Sequence, residues 1–269
     1  TSYRYRRAYL QARLSDNPSL SYEQAMAAMA GISDPELRDA IANGNWDLTA
    51  GQFFSGFRRN LHVVEPLWSH PPDDWFIWRA LDWGHSAPAA CLWLARNPAV
   101  AFPRTYAYRE WMQPGLSDYE QAKTVLKLSV GDPFCRLNLV DPSIVRDRKG
   151  LAGVTHGREW VRAGLKPLVP ANNNRPLGWS RIHKALAHQN ELYPVPTELQ
   201  IFDTCTNLID QLANTQRDET HYEDIHQPRN PDAKLRDEMI ETLRYGLMGA
   251  AVVSKKTQYR KSRSSYRIG

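Results

Sequence analysis

The chain has 269 residues, enough for one large domain or a domain with an appendage. It is 42% hydrophobic and 23% charged, ordinary for a globular protein. No apolar run reaches the roughly 18 residues of a membrane helix, and no signal-peptide pattern opens the chain. Net charge is +5, a mild pointer to a polyanionic partner. Cys91, Cys135 and Cys205 lack CxxC spacing, which argues against a zinc ribbon or disulfide framework and for a reducing compartment. The first residue is Thr1, so a piece of a longer protein is expected.

Residues 1–65 read as helical and polar. Ser21 is a candidate N-cap for a helix through Ala30, which Gly31 stops. Ser33-Asp34-Pro35-Glu36 starts a second helix, with proline in its first turn. A turn at Asn43-Gly44-Asn45 and a linker ending at Pro71-Pro72 follow. Residues 1–73 are therefore expected to be a helical connector.

The texture changes at about residue 74. Strand-like runs are predicted at 75–82, 89–96, 104–111, 136–141, 166–170 and 198–202. Helical patterns are predicted at about 117–129, 155–163, 178–188, 204–213 and 235–249. Three strands in close succession suggest an antiparallel meander. Strands alternating with helices then suggest parallel crossovers. The expected fold is an α/β mixed sheet flanked by helices over 74–250. Residues 214–234 form a long polar loop containing His221 and His226, whose five-residue spacing is a weak zinc signal. A basic tail, 251–269, carries Lys255, Lys256, Arg260 and Lys261. It reads either as solvated or as a source of phosphate contacts.

Asp82 closes the first strand, and Gly84 follows in the turn. An ionised carboxylate at a buried strand end is paired, solvated or metal-bound. Two readings stand: an acceptor for the amides of Gly84 and His85, or a metal ligand. Asp141 ends another strand of the same sheet. Asp237, Glu238 and Glu241 lie three and four apart on a helix, near one face. Converging carboxylates repel unless cations neutralise them, and oxygen-only ligands suit Mg²⁺ or Mn²⁺. Two such ions about 4 Å apart support phosphodiester cleavage. The plainer alternative is an exposed helix face pairing Glu238 and Glu241 with Lys234, Arg236 or Arg244. Asp203 reads as the N-cap of the helix after it, and Asp147 as a local ion-pair partner. Arg146, Arg148 and Lys149, soon after Asp141, are candidate phosphate contacts. No GxSxG and no GxxxxGK[ST] occur, so neither a hydrolase elbow nor a P-loop is expected.

Several stretches then fall into a familiar order: Leu81-Asp82-Trp83-Gly84, Tyr108-Arg109-Glu110-Trp111, Val140-Asp141-Pro142-Ser143, Val169-Pro170-Ala171-Asn172-Asn173, Ile201-Phe202-Asp203-Thr204-Cys205 and Leu243-Arg244-Tyr245-Gly246-Leu247. The set resembles the nuclease portion of tailed-phage terminase large subunits, over residues 74–250. Leu14-Ser15-Asp16-Asn17-Pro18 and Gly44-Asn45-Trp46-Asp47 resemble the end of the ATPase part that precedes it. The resemblance implies an RNase H-like fold and a metal-dependent endonuclease that cuts concatemeric double-stranded phage DNA during packaging, in the host cytoplasm. It implies two Mg²⁺ or Mn²⁺ ions, with Asp82 and Asp141 as the first two ligands. The family's third motif, His-x-x-Asp, reads here Glu238 and Glu241. The implied partners are duplex DNA, the portal protein, the small terminase subunit and an ATPase domain. Two other functions fit the same residues: a non-cleaving DNA clamp in the packaging motor, and another RNase H-like nuclease such as a junction resolvase.

Overall fold

A computed structural model describes residues 21–29, 51–97, 103–146, 155–187, 197–218, 220–226 and 237–249, with isolated positions 13, 16, 17 and 19. The readings of Ser33 to Asp47, Asp147, Arg148, Lys149 and the tail from 251 lie outside these residues. In chain order the elements are α1 (Tyr22–Met29), α2 (Arg59–His62), β1 (Val63–Val64), β2 (Phe76–Asp82), β3 (Ala89–Arg96), β4 (Thr105–Gln113), α3 (Asp118–Leu128), β5 (Asn138–Val140), α4 (Pro142–Arg146), α5 (His156–Ala163), β6 (Leu168–Pro170), α6 (Arg175–Leu186), β7 (Leu199–Phe202) and α7 (Thr206–Asn214). A last helix, α8, runs over 238–249.

Seven strands form one sheet in the order β1-β7-β4-β3-β2-β5-β6. β2, β3 and β4 are an antiparallel meander. β5 lies parallel beside β2, β6 beside β5, β7 beside β4 and β1 beside β7. β3 alone runs against the others, because only the two tight connections of the meander reverse the chain. This is an RNase H-like mixed sheet flanked by helices. β1 falls within the stretch expected to be a connector. Val63 pairs with Ile201, and Phe53, Phe54 and Phe57 are buried in the sheet's core.

β2 and β3 are buried almost end to end, as central strands covered on both faces must be. Alternation then divides their side chains. Trp93 faces α3, its indole nitrogen donating to Ser129 Oγ at 2.9 Å. Trp78 faces α8, donating to the Gly246 carbonyl at 3.0 Å. Asp82, four residues on from Trp78, shares the α8 face. A Cβ on Gly246 would overlap Leu94, and one on Gly249 would overlap Leu139. These two glycines let the helix backbone lie directly on β2, β3 and β5. Gly246→Ala is expected to lower stability by about 1–3 kcal/mol through overpacking, checked by denaturant titration.

Helix ends are held in two ways. α3 is closed locally: Ser117 accepts from the Glu120 amide while Glu120 accepts from the Ser117 amide, a capping box. α7 is closed from a distance, and Asp203 is not its cap. Its N-cap position is Cys205, without a side-chain cap, and the Glu110 carboxylate of β4 accepts from the amides of Asn207 at 2.7 Å and Leu208 at 2.9 Å. An acid from a neighbouring strand fits better because those amides point at β4. Glu110→Ala should cost about 1–2 kcal/mol, read from thermal melts.

Candidate metal centre

β2 and β5 are paired in register, Leu81 opposite Val140. Each of these residues is followed by an acid, so Asp82 and Asp141 stand side by side at the carboxyl ends of adjacent parallel strands. That is the edge where open α/β sheets collect functional groups. α8 crosses above them and carries Glu238 and Glu241, with Asp237 just before it. All ten residues from Glu238 to Leu247 are buried. The exposed face expected for Glu238 and Glu241 is thereby excluded, since they are 8% and 6% exposed, but the expected pairing of Glu241 with Arg244 is present.

The carboxylates are not equivalent. Among the described residues none donates a hydrogen bond to the Asp82 carboxylate, so the turn-acceptor reading fails. Desolvation raises the Asp82 pKa well above the ordinary value, and the charges of Glu241, Asp141, Asp237 and Glu238 raise it further. Asp141 behaves oppositely. Burial works to raise its pKa, but hydrogen bonds outweigh it and leave the pKa lowered. Its Oδ1 accepts from the Ser143 amide at 2.7 Å, and its Oδ2 from the Tyr245 hydroxyl at 2.7 Å and Asn173 Nδ2 at 3.2 Å.

Glu241 is held by two arginines. Oε1 accepts from Arg175 at 2.8 Å. Oε2 accepts from Arg244 Nε at 2.7 Å and from the same guanidinium's terminal nitrogen. Even so, burial leaves the Glu241 pKa raised, with Arg244 and Arg175 offsetting only part. Arg244 is 1% exposed, donates also to Asn173 Oδ1 at 2.8 Å, and lies over the rings of Trp179 and Tyr245. Its aliphatic stem passes against Gly178 of α6, where a Cβ would collide with it. Glu238 Oε2 is buried, with no hydrogen-bond partner among the described residues. Gln211 of α7 positions the start of α8, accepting from the amides of Met239 at 2.9 Å and Ile240 at 3.2 Å.

Sequence reasoning did not find Arg175, Asn173 or Tyr245 as members of this site, nor Asp224, whose Oδ1 receives Arg175 at 3.0 Å and Trp179 Nε1 at 2.8 Å. The signals were the placement of Asn172-Asn173 directly after a strand and of Tyr245 in the stretch Leu243-Arg244-Tyr245-Gly246-Leu247 that carries the resemblance. Gly84 lies in the turn after Asp82, as the sequence indicates. A Cβ there would strike the carbonyls of Ala87 and Pro88, so glycine permits a tight turn. Arg146 is exposed at the end of α4. His221 is exposed and lies beside Asp218, and among the described residues no three His, Cys, Asp or Glu side chains are gathered tightly enough to hold a metal ion. At the acidic edge Glu241 is bonded to its arginines and Asp141 to Tyr245 and Asn173. The donor set nonetheless suits a hard divalent cation. It is all oxygen, and Asp82 and Glu238 each present desolvated oxygen without a donor among the described residues.

No model of a known protein family matches the sequence, and no curated protein matches it. Solved structures do. The large terminase of a thermophilic bacteriophage superposes with TM-score 0.58 and 17% identity, over 87% of this chain and 54% of that one. The nuclease domain of the P22 large terminase superposes with TM-score 0.57 and 18% identity, over 75% of this chain and 93% of that one. The chain thus spans about half the length of the thermophilic phage's large terminase. Its fold is that of the terminase large-subunit nuclease domain.

Proposed function

We propose that this chain is the endonuclease part of a phage DNA-packaging terminase, cleaving double-stranded concatemeric DNA with divalent cations. The observation that carries the reading is the convergence of carboxylates: half-buried Asp82, without a donor among the described residues, stands beside Asp141 at the ends of paired strands and within range of the Glu241 charge. A desolvated acid left in that state is costly unless a cation completes it. Asp82, Asp141 and Glu241 would hold Mg²⁺ or Mn²⁺, with Glu238 and Asp237 as further candidate ligands. A divalent cation held by these acids would supply an activated water and neutralise the leaving oxygen. The protein's own contribution is orientation. Ser143, Tyr245 and Asn173 fix both oxygens of Asp141, and Arg244 and Arg175 hold those of Glu241. The basic residues Arg146, Arg148, Lys149, Lys255, Lys256, Arg260 and Lys261 would add contacts to the DNA backbone. The portal protein, the small terminase subunit and an ATPase domain are the proposed partners, in the cytoplasm of the host.

A second reading has one observation in its favour. Both oxygens of Glu241 are occupied by arginines, which suits a DNA clamp that does not cut. Supercoiled plasmid incubated with the protein and Mn²⁺ or Mg²⁺ separates the two. Nicking supports the nuclease. Salt-sensitive duplex binding without cleavage in either metal supports the clamp.

A further inference from the structure

Glu241 is gripped by two guanidiniums that differ in their freedom. Arg244 is sealed in: it is 1% exposed, wedged against Gly178, stacked over Trp179 and Tyr245, and bonded to Asn173 as well as to Glu241. Arg175 is nearer the surface. Its side chain is 34% exposed, and it sits in the first turn of α6 with its guanidinium 5.2 Å over the Trp179 ring. It bridges Glu241 Oε1 at 2.8 Å and Asp224 Oδ1 at 3.0 Å. One oxygen of Glu241 is thus held by a group that cannot leave without unpacking the core. The other is held by a group that is one-third exposed and bonded to a second acid, Asp224.

We propose that Arg175 is an exchangeable latch on Glu241, which holds Oε1 while the acidic edge is empty and moves to a DNA phosphate when substrate arrives, freeing that oxygen for a cation. The inference rests on the metal-site reading above and assigns Arg175 as a positioning residue for it. Three features support the exchange. Guanidinium binds carboxylate and phosphate oxygens with the same donor geometry, so a phosphate is a natural second acceptor. Asp224 and the Trp179 ring hold the stem of the movement in place, limiting its cost in side-chain order. And the latch removes one of the Asp82, Asp141 and Glu241 oxygens from service, which discourages cation loading ahead of DNA.

The test has an unusual sign, because removing the positive side chain from an acidic site through Arg175→Gln should tighten metal binding. In calorimetry without DNA, Arg175→Gln is expected to bind Mn²⁺ about 3- to 10-fold more tightly than the unaltered protein, the general effect of removing a competing partner. In metal-free duplex binding, its log–log salt dependence should be shallower by about one unit, the signature of one lost phosphate contact. Arg175→Lys keeps the charge without the two-pronged reach. It should change both quantities in the same direction by less, and it stands in if the glutamine variant does not fold. Equal or weaker Mn²⁺ binding by both variants, or an unchanged salt slope in both, overturns the latch. Failure of the underlying metal site looks different: Asp82→Asn would then bind Mn²⁺ as the unaltered protein does. If Asp82→Asn loses Mn²⁺ while Arg175→Gln gains nothing, the latch alone is wrong.

Discussion

Asp82→Asn is expected to abolish DNA cleavage and, in the metal-free protein, to raise the melting temperature. The two effects have one cause. Asp82 is an acid without a donor among the described residues, crowded by Glu241, Asp141, Asp237 and Glu238. Under the proposed function, its charge serves a bound cation. Removing that charge should cost on the order of 10²- to 10⁴-fold in plasmid nicking, equivalent to several kcal/mol of lost metal-borne stabilisation. Without metal the same change relieves an unpaired, desolvated group worth about 1–3 kcal/mol, or several degrees in a domain of this size. The pH dependence follows from the raised pKa. In the unfolded chain Asp82 ionises near its ordinary value, about 4. In the folded protein it holds its proton to higher pH. The folded state is therefore favoured at acid pH, and that advantage is lost as pH rises from about 4 through the raised folded value. The gain from Asp82→Asn should be small at acid pH and should grow towards neutrality. Mn²⁺ at about 100 times its dissociation constant should add roughly 2.7 kcal/mol to the unaltered protein and little to the variant. Melting curves at several pH values, with and without Mn²⁺, measure all of this. A stabilising effect of Mn²⁺ that survives Asp82→Asn would remove Asp82 from the ligand set.

Arg244→Leu should be the most damaging single substitution at the site for stability. It leaves Glu241 buried with one partner in place of two and opens a cavity over Gly178. Breaking a buried ion pair from one side costs about 3–5 kcal/mol. At about 2–4 °C per kcal/mol, the melting temperature should fall by roughly 10 °C. The double variant Arg244→Met with Glu241→Leu should recover most of the loss, because two apolar groups leave no charge stranded. It should not recover cleavage, since Glu241 is a proposed ligand. Recovery of stability without recovery of activity would separate Arg244's structural role from the chemistry of the acid it holds. If Arg244→Leu melts within a degree or two of the unaltered protein, Arg244 contributes little and Arg175 with the surrounding packing suffices to hold Glu241.

The sequence alone determined the frame of this protein. The run at 89–96 is apolar almost throughout and bounded by Pro88 and Pro98, so a strand of that extent is legible from local pattern. Asp82 and Asp141 were legible for the same reason: each follows an apolar run and precedes a turn, which places it at a strand end. The meander, the crossovers and the resemblance to a terminase nuclease all rest on that order of elements. β1 escaped because two valines carry no period. Its existence depends on Ile201 and Phe202, far along the chain. Asp203 was misread because a local acid before a helix is the usual cap. Glu110 takes the place from a strand that only folding brings alongside.

The electrostatics of the site were decided by tertiary structure. Nothing in the spacing of Glu241 indicates that Arg175, 66 residues earlier, reaches its Oε1. Nothing around Asp82 indicates that it lacks a donor. Backbone pattern is set by neighbours within a few positions, and so it can be read along the chain. The state of a charge is set by burial and by whichever groups converge within a few ångströms, and those come from β2, β5, α6 and α8 together. The sequence therefore identified which acids meet at the sheet edge. The fold determined which of them is left open, which is hydrogen-bonded, and which is held by arginine.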